Sequence, residues 1–241
     1  MPEYRIPVDL HNPGQFFACC GLFEIADLIA PGADACFEEG PVFVLGTEAR
    51  IPPRILLEGG EDLTEKPYDA TLEPLTLRIE GEAFVLSWWL NETRTAKTAL
   101  KTWGGQQTPR RVFSELLGQL DNSIPAERLF SSAVYSKSRF GVDARSAWEA
   151  LDAGYSPNDI GQDAATFPWV EVLAVVGLQG FRPPKQKRAH YRYSAWRDRL
   201  PLIAARAACA APWTGLDVQS FDFPVEGRGQ GYKTFLFAKG A

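Results

Sequence analysis

Apolar residues occupy nearly every position from Phe16 to Leu28, and polar side chains interrupt the run only at Glu24 and Asp27, so this first long segment reads as a helix buried on all sides. A start signal precedes it: Asn12 as N-cap, Pro13 in the first turn and a side-chain amide, Gln15, three residues past the cap. Tyr4 to Val8 reads as a short strand and residues 34 to 46 as two more, while the Pro52-Pro53 pair is expected to open a short helix over Ile51 to Leu57. The polar run from Gly59 to Asp69 reads as an exposed loop or a partly disordered segment, and Leu75–Ile79 with Ala83–Trp89 as a strand pair closed by a tight Glu80-Gly81-Glu82 turn. Thr108 to Leu120 carries Pro109 in its first turn and Val112, Phe113, Leu116, Leu117 and Leu120 at helical spacing. Thr166 to Leu178 repeats the device from Pro168 with a wholly apolar body. Strands are expected at Val218–Phe223 and Tyr232–Phe237, joined through Gly227, Gly229 and Gly231. The sum is an α+β fold, a mixed or antiparallel sheet packed with several buried helices.

The two buried helices share a pattern. Phe16-Phe17-Ala18-Cys19-Cys20-Gly21-Leu22 aligns without gaps on Val172-Leu173-Ala174-Val175-Val176-Gly177-Leu178. An internal pseudo-duplication is one reading; convergence of two helices that both need small residues for close packing is the simpler one. With 241 residues the chain is expected to form a single compact unit, residues 1–241, with a sub-division considered near residue 92. Cys19, Cys20, Cys36 and Cys209 are too few and too irregularly spaced for a disulfide framework and, with His11 and His190, form no zinc spacing, so reduced thiols and no metal are expected. The N-terminus lacks the apolar core of a signal peptide and no apolar run reaches the roughly 18 residues of a membrane span. A cytoplasmic protein with no membrane partner is expected.

Charge changes this picture. Residues 1 to 92 hold 5 Lys/Arg against 17 Asp/Glu, a balance of −12, whereas residues 93 to 241 hold 20 against 13, a balance of +7. The overall acidic character therefore hides a basic C-terminal part with an electrostatic footprint for phosphates. Seven of its cations lie in Phe181–Arg199, among them Arg182, Lys185, Lys187, Arg188 and Arg192, interleaved with Tyr191, Tyr193 and Trp196. Guanidinium and ammonium groups neutralise phosphates while aromatic faces stack on unpaired bases. The competing reading is a basic loop followed by a strand whose aromatics are core. A second group, Lys97, Lys101, Arg110 and Arg111, surrounds Gly104-Gly105 before the Pro109 helix, a Gly-rich approach to a helix N-terminus that suits a phosphate but lacks any nucleotide-binding pattern.

Catalytic chemistry is thinly represented. His11 and His190 could serve as base and acid of a metal-independent ribonuclease, but nothing in the sequence brings them together, and packing, capping and basic-segment roles explain them. Asp143, Asp152, Asp159 and Glu171 are a candidate carboxylate cluster, set against capping and ion pairing with Arg139 and Arg145. No cofactor is implied.

Four stretches carry a likeness to a known family: His11–Leu22 (HNPGQFFACCGL), Trp103–Pro109 (WGGQQTP), Phe140–Asp143 with Trp148 and Gly154–Asn158 (GYSPN), and Phe167–Pro183. In their joint order they resemble the CRISPR-associated Csb family, specifically its third member group, characteristic of type I-G systems formerly called I-U or the Dpsyc subtype. The resemblance implies a non-catalytic subunit of an RNA-guided, DNA-targeting effector complex, with other Cas subunits and guide RNA or target DNA as partners and antiviral defence as its role. A purely protein-bridging subunit is the alternative. The family supplies no catalytic residues to carry over, so Lys101, Arg110, Arg111, Arg182, Lys185, Lys187, Arg188, Tyr191, Arg192 and Tyr193 stand as nucleic-acid contacts on their own chemistry.

Overall fold

Strand β1 (Glu3–Pro7) leads through Asn12 into helix α1 (Pro13–Ile29), which is followed by the hairpin β2 (Asp34–Glu38) and β3 (Val42–Gly46). The computed structural model describes residues 1–59, 72–93, 97–104, 107–136, 138–146, 164–227 and 232–241. The Asn12 side chain caps α1 by accepting from Gly14 N–H at 3.0 Å. Gln15 does not return the bond to the cap; its Oε1 accepts from Asp9 N–H at 2.7 Å and ties the incoming loop to the first turn. At the other end Asp27 Oδ1 accepts from Gly32 and Ala33 N–H, closing the turn into β2.

Three antiparallel sheets follow the chain. β1, β3 and β2 lie in that order, with the short β11 (Leu200–Pro201) added beside β2. A second sheet holds β4 (Ile55–Leu57), β5 (Leu75–Ile79) and β6 (Glu82–Leu86), with Glu80 (φ 49°) and Gly81 (φ 97°) at the left-handed positions of a tight hairpin turn. β4 corrects the helix expected over Ile51–Leu57. Pro53 forces Pro52 out of the helical region, Arg54 N–H goes to Glu80 Oε1 at 2.7 Å, and Leu56 pairs with Arg78. The small pair β7 (Val134–Ser136) and β8 (Ala164–Thr166) connects α2 (Pro109–Leu117) to α3 (Pro168–Gly180).

The third sheet is C-terminal: β9 (Lys185–Lys187), β10 (His190–Trp196) and β12 (Val218–Gly227), flanked on the far side of β12 by β13 (Lys233–Phe235) and β14 (Lys239–Gly240). Between β11 and β12 runs α4 (Leu202–Ala210), a helix the sequence pattern did not signal. The residues are thus α+β, with four α-helices among those described. The expected loop over Gly59–Asp69, apart from Gly59 itself, and most of the Gly227–Gly231 connection fall outside the described residues.

The core is one contiguous cluster organised on the α1–α3 pair. Gly21 and Gly177 sit where the two helix backbones touch: a β-carbon on Gly21 would collide with the Leu173 carbonyl, and one on Gly177 with the Phe17 carbonyl. Phe17 and Leu173 are themselves equivalent in the seven-residue match, so the repeated pattern is packed against itself reciprocally. Around this contact Phe16 stacks on Tyr193 of β10 (centroids 4.3 Å) and Phe37 of β2 (5.4 Å), so that α1 fills the space between two sheets. A second aromatic nest joins Trp88, Trp89, Trp103, Phe140 and Phe113.

The acidic and basic parts of the chain interlock rather than segregate. Arg199 pairs with Asp34 (2.6 Å) and Glu3, and Arg206 of α4 with the buried Glu24 of α1. Burial pushes the Glu24 carboxyl above its usual range while Arg206 pulls it back.

Candidate nucleic-acid interface

Three of the stretches singled out in the sequence, 11–22, 140–143 and 167–183, meet in a buried polar knot. Asn12 Nδ2 donates to Asp143 Oδ1 at 2.7 Å, and Asn12 Oδ1 accepts from Ala144 N–H at 3.1 Å as well as from Gly14. Arg145 closes on Asp143 through Nε (3.1 Å) and a terminal nitrogen (2.7 Å), gives its other terminal nitrogen to the Phe130 carbonyl, and lies 3.3 Å over the Phe167 ring. Glu171, in the first turn of α3, accepts Phe140, Gly141 and Asp143 N–H at 2.7, 3.0 and 3.1 Å. Burial, then the neighbouring Asp143, pushes Glu171 up to about 7 against the pull of those donors. Gly14 is required here, since a β-carbon would stand 2.5 Å from the Val142 carbonyl oxygen. Every polar group of the knot is spent on backbone or on a neighbour, which makes it a fastening and not an open site.

The proposed carboxylate cluster therefore resolves into two interior fasteners, Asp143 and Glu171; Asp152 and Asp159 lie outside the described residues. Among the described residues no group of three His, Cys, Asp or Glu side chains converges as metal ligands. Cys19, Cys20, Cys36 and Cys209 are single buried thiols; burial raises Cys209 to about 12. His11 bonds the Ala238 carbonyl through Nδ1 at 3.0 Å and meets Phe221 edge-on, whereas His190 bonds the Arg188 carbonyl at 3.1 Å.

The first basic group is committed internally. Lys101 is half-buried over Trp103 (4.9 Å), donates to the Trp103 carbonyl, and is drawn down to about 8 by burial first and by Lys97 and Lys233 second. Arg110 reaches the Glu58 and Gly59 carbonyls at 3.0 and 3.3 Å, and Arg111 pairs with Glu115 one turn on. The α2 N-terminus is itself occupied, because Thr108 Oγ1 accepts from Arg111 N–H at 3.2 Å. Gly105 and Gln106 lie outside the described residues.

The second group is divided by the strand that carries it. The first half of β10 alternates, sending Tyr191 and Tyr193 inward, and from Ser194 to Trp196 every residue is buried. Tyr193 is 0% exposed and donates to the Leu10 carbonyl at 2.6 Å; Tyr191 is 4% exposed and packs on Phe223. Both are core residues, which corrects the expectation that their rings stack on bases. Arg192, on the outer face, is clamped by Asp222 through two 2.8 Å bonds. Arg182 is exposed beside the Gln179 carbonyl. Lys185, Lys187 and Arg188 differ: they ride the edge strand β9 and its turn, exposed, and their side chains make no hydrogen bond or ion pair with any described residue. Lys239, brought opposite Asp222 by β14, joins this side of the sheet, and sequence spacing gave no signal of it.

Among the described residues, one open cleft of about 310 Å³ is lined by Arg54, Leu56, Arg78, Glu80 and Gly81, and another of similar size lies between Asp9, Glu127 and Arg145. Both are open and charged, unlike the enclosed apolar pockets that hold small molecules. No helix among the described residues is long and apolar enough to cross a membrane. Comparison of the chain with models of known families, with characterised proteins and with solved structures finds no match.

Proposed function

We propose that the chain is a non-catalytic subunit of a type I-G CRISPR effector complex, acting in the cytoplasm in antiviral defence and contacting guide RNA or target DNA through its basic C-terminal part. The observation that carries the nucleic-acid reading is the β9–β10 hairpin, where Lys185 and Lys187 stand on paired backbone and Arg188 on the turn beside them, their side chains exposed and unspent among the described residues. Cations so held neutralise phosphates and release counterions without first breaking an internal pair.

The effector reading rests on the sequence likeness, and one arrangement supports it. Segments 11–22, 140–143 and 167–183 fasten to one another through Asn12, Asp143 and Glu171, and Trp103 packs on Phe140 at 5.5 Å. A shared pattern that encodes packing and capping fits a subunit whose complex takes its sequence specificity from guide base pairing. The test is purification of the tagged chain from cells carrying its genomic neighbours, followed by identification of bound nucleic acid. A stoichiometric complex containing guide RNA is expected; a lone chain free of nucleic acid contradicts the proposal.

A further inference from the structure

At its β9 end the C-terminal sheet has one face in the core and one face turned to solvent, whereas further along β10, at Ser194 to Trp196, both faces are buried. Residues directly opposite on antiparallel strands share a face. Tyr191, Tyr193, Phe221 and Phe223 fill the inner one. On the outer face Lys187 stands across from His190 and then Pro224, and Arg192 across from Asp222 and then Lys239. Asp222 is held below the usual carboxylate range by Arg192, with His190 and Lys187 adding to the effect. The Arg192–Asp222 clamp neutralises itself, which leaves Lys187 and Lys239 as the cations of this face and Glu226 as its remaining acid, with Arg188 in the adjoining turn.

The edge of this face carries an irregularity. β12 pairs Val225 with Phe235 and Asp222 with Lys239, so three steps along β12 face four along its partner. The extra residue is a β-bulge at Leu236–Phe237, opposite Pro224, where Leu236 N–H still reaches the Pro224 carbonyl. Ala238 and Phe235 are buried, while the Phe237 ring between them is 48% exposed on the side shared with Lys239. The inward turn at Ala238 ties His11 through the Ala238 N–H (2.7 Å) and carbonyl (3.0 Å), and it leaves the large apolar ring of Phe237 facing water two residues from Lys239.

We infer that this open face is a platform for a single-stranded nucleic acid, with an unpaired base stacked on Phe237 and flanking phosphates taken by Lys187, Arg188 and Lys239. The inference rests on the nucleic-acid reading above and deepens it by naming strandedness. From β9 to β14 the sheet spans three inter-strand steps, roughly 14 Å, enough to carry a chain across it. An aromatic ring on a sheet engages only a base whose π-face is free, which a duplex withholds.

The test is fluorescence anisotropy of the full chain with a labelled 20-nucleotide single-stranded RNA, the same sequence as single-stranded DNA, and the DNA duplex, each at several salt concentrations. Phe237→Ala is expected to weaken single-strand binding about tenfold with the salt slope unchanged, Phe237→Tyr to retain it, and the duplex to be indifferent to both. Lys187→Ala with Lys239→Ala is expected to weaken binding and flatten the slope. The RNA and DNA arms identify which strand the face prefers. Single-strand affinity unchanged by Phe237→Ala, with the lysine pair still weakening it, overturns the platform and leaves phosphate contact standing. Absence of salt-sensitive binding to all three probes overturns both.

Discussion

The basic group around Lys101–Arg111 and the basic hairpin Lys185–Arg188 look alike as sequence, each a cluster of cations beside a proline-started helix, yet the fold uses them in opposite ways. Lys101, Arg110 and Arg111 terminate on the Trp103 carbonyl, the Glu58 and Gly59 carbonyls and Glu115, so binding a phosphate there means first giving up an internal partner. Lys185, Lys187 and Arg188 have no such partner among the described residues. Cation count is therefore a poor guide to a polyanion site; the informative quantity is charge left over after the fold has taken its share. The same division separates the Asn12–Asp143–Glu171 knot, whose polar groups are all engaged, from the open face of the C-terminal sheet. Substitutions in the committed regions should register as lost stability, and substitutions on the hairpin as lost binding.

The largest effect is expected at the helix contact. Gly21→Ala inserts a methyl into the Leu173 carbonyl and forces α1 and α3 apart, costing about 3 kcal/mol in urea denaturation. An unfolding midpoint like that of the wild type would show that the helices are not in backbone contact.

Glu171→Gln is expected to cost about 2 kcal/mol, because the amide turns a donor toward backbone N–H groups that now meet an oxygen. Its pH signature is also defined. The folded protein holds the Glu171 proton to about 7 and the unfolded chain releases it near 4.5, so this group's stabilising contribution is complete below 4.5 and is lost as pH rises through 7. The Gln variant should lack that component of the decline between pH 5 and 7. An unchanged pH profile would mean that Glu171 does not titrate in this range.

How far this division could be read from the sequence differs by element. Both buried helices, the 34–46 hairpin and the Glu80-Gly81 turn were legible because proline, glycine and apolar period each demand one local geometry. α4 was not, since LIAARAACA offers almost no contrast between faces; only Arg206, which reaches back to Glu24, marks one side. β4 was missed because a Pro-Pro pair suggests a helix start as readily as an extended entry. The tyrosines misled for a different reason: alternation of Tyr191 and Tyr193 with Arg192 and Ser194 fits a half-buried strand as well as a stacking surface. The register with β12 and the ring of Phe16 decide in favour of the core. Lys239 and Phe237 reach the same face only through a bulge, a feature with no sequence signature here.

The smallest expected stability change, and the most direct test of the comparison, lies with two triple variants, Lys185→Ala/Lys187→Ala/Arg188→Ala and Lys101→Ala/Arg110→Ala/Arg111→Ala. Binding of a labelled single-stranded RNA is measured for each across a salt titration, alongside urea denaturation. The hairpin triple should lower the log–log salt slope by about 2 while moving stability by less than about 0.5 kcal/mol. The second triple should lose stability and keep most of the slope. A hairpin triple that retains wild-type slope and affinity, with the loss appearing instead in the second triple, would contradict the account.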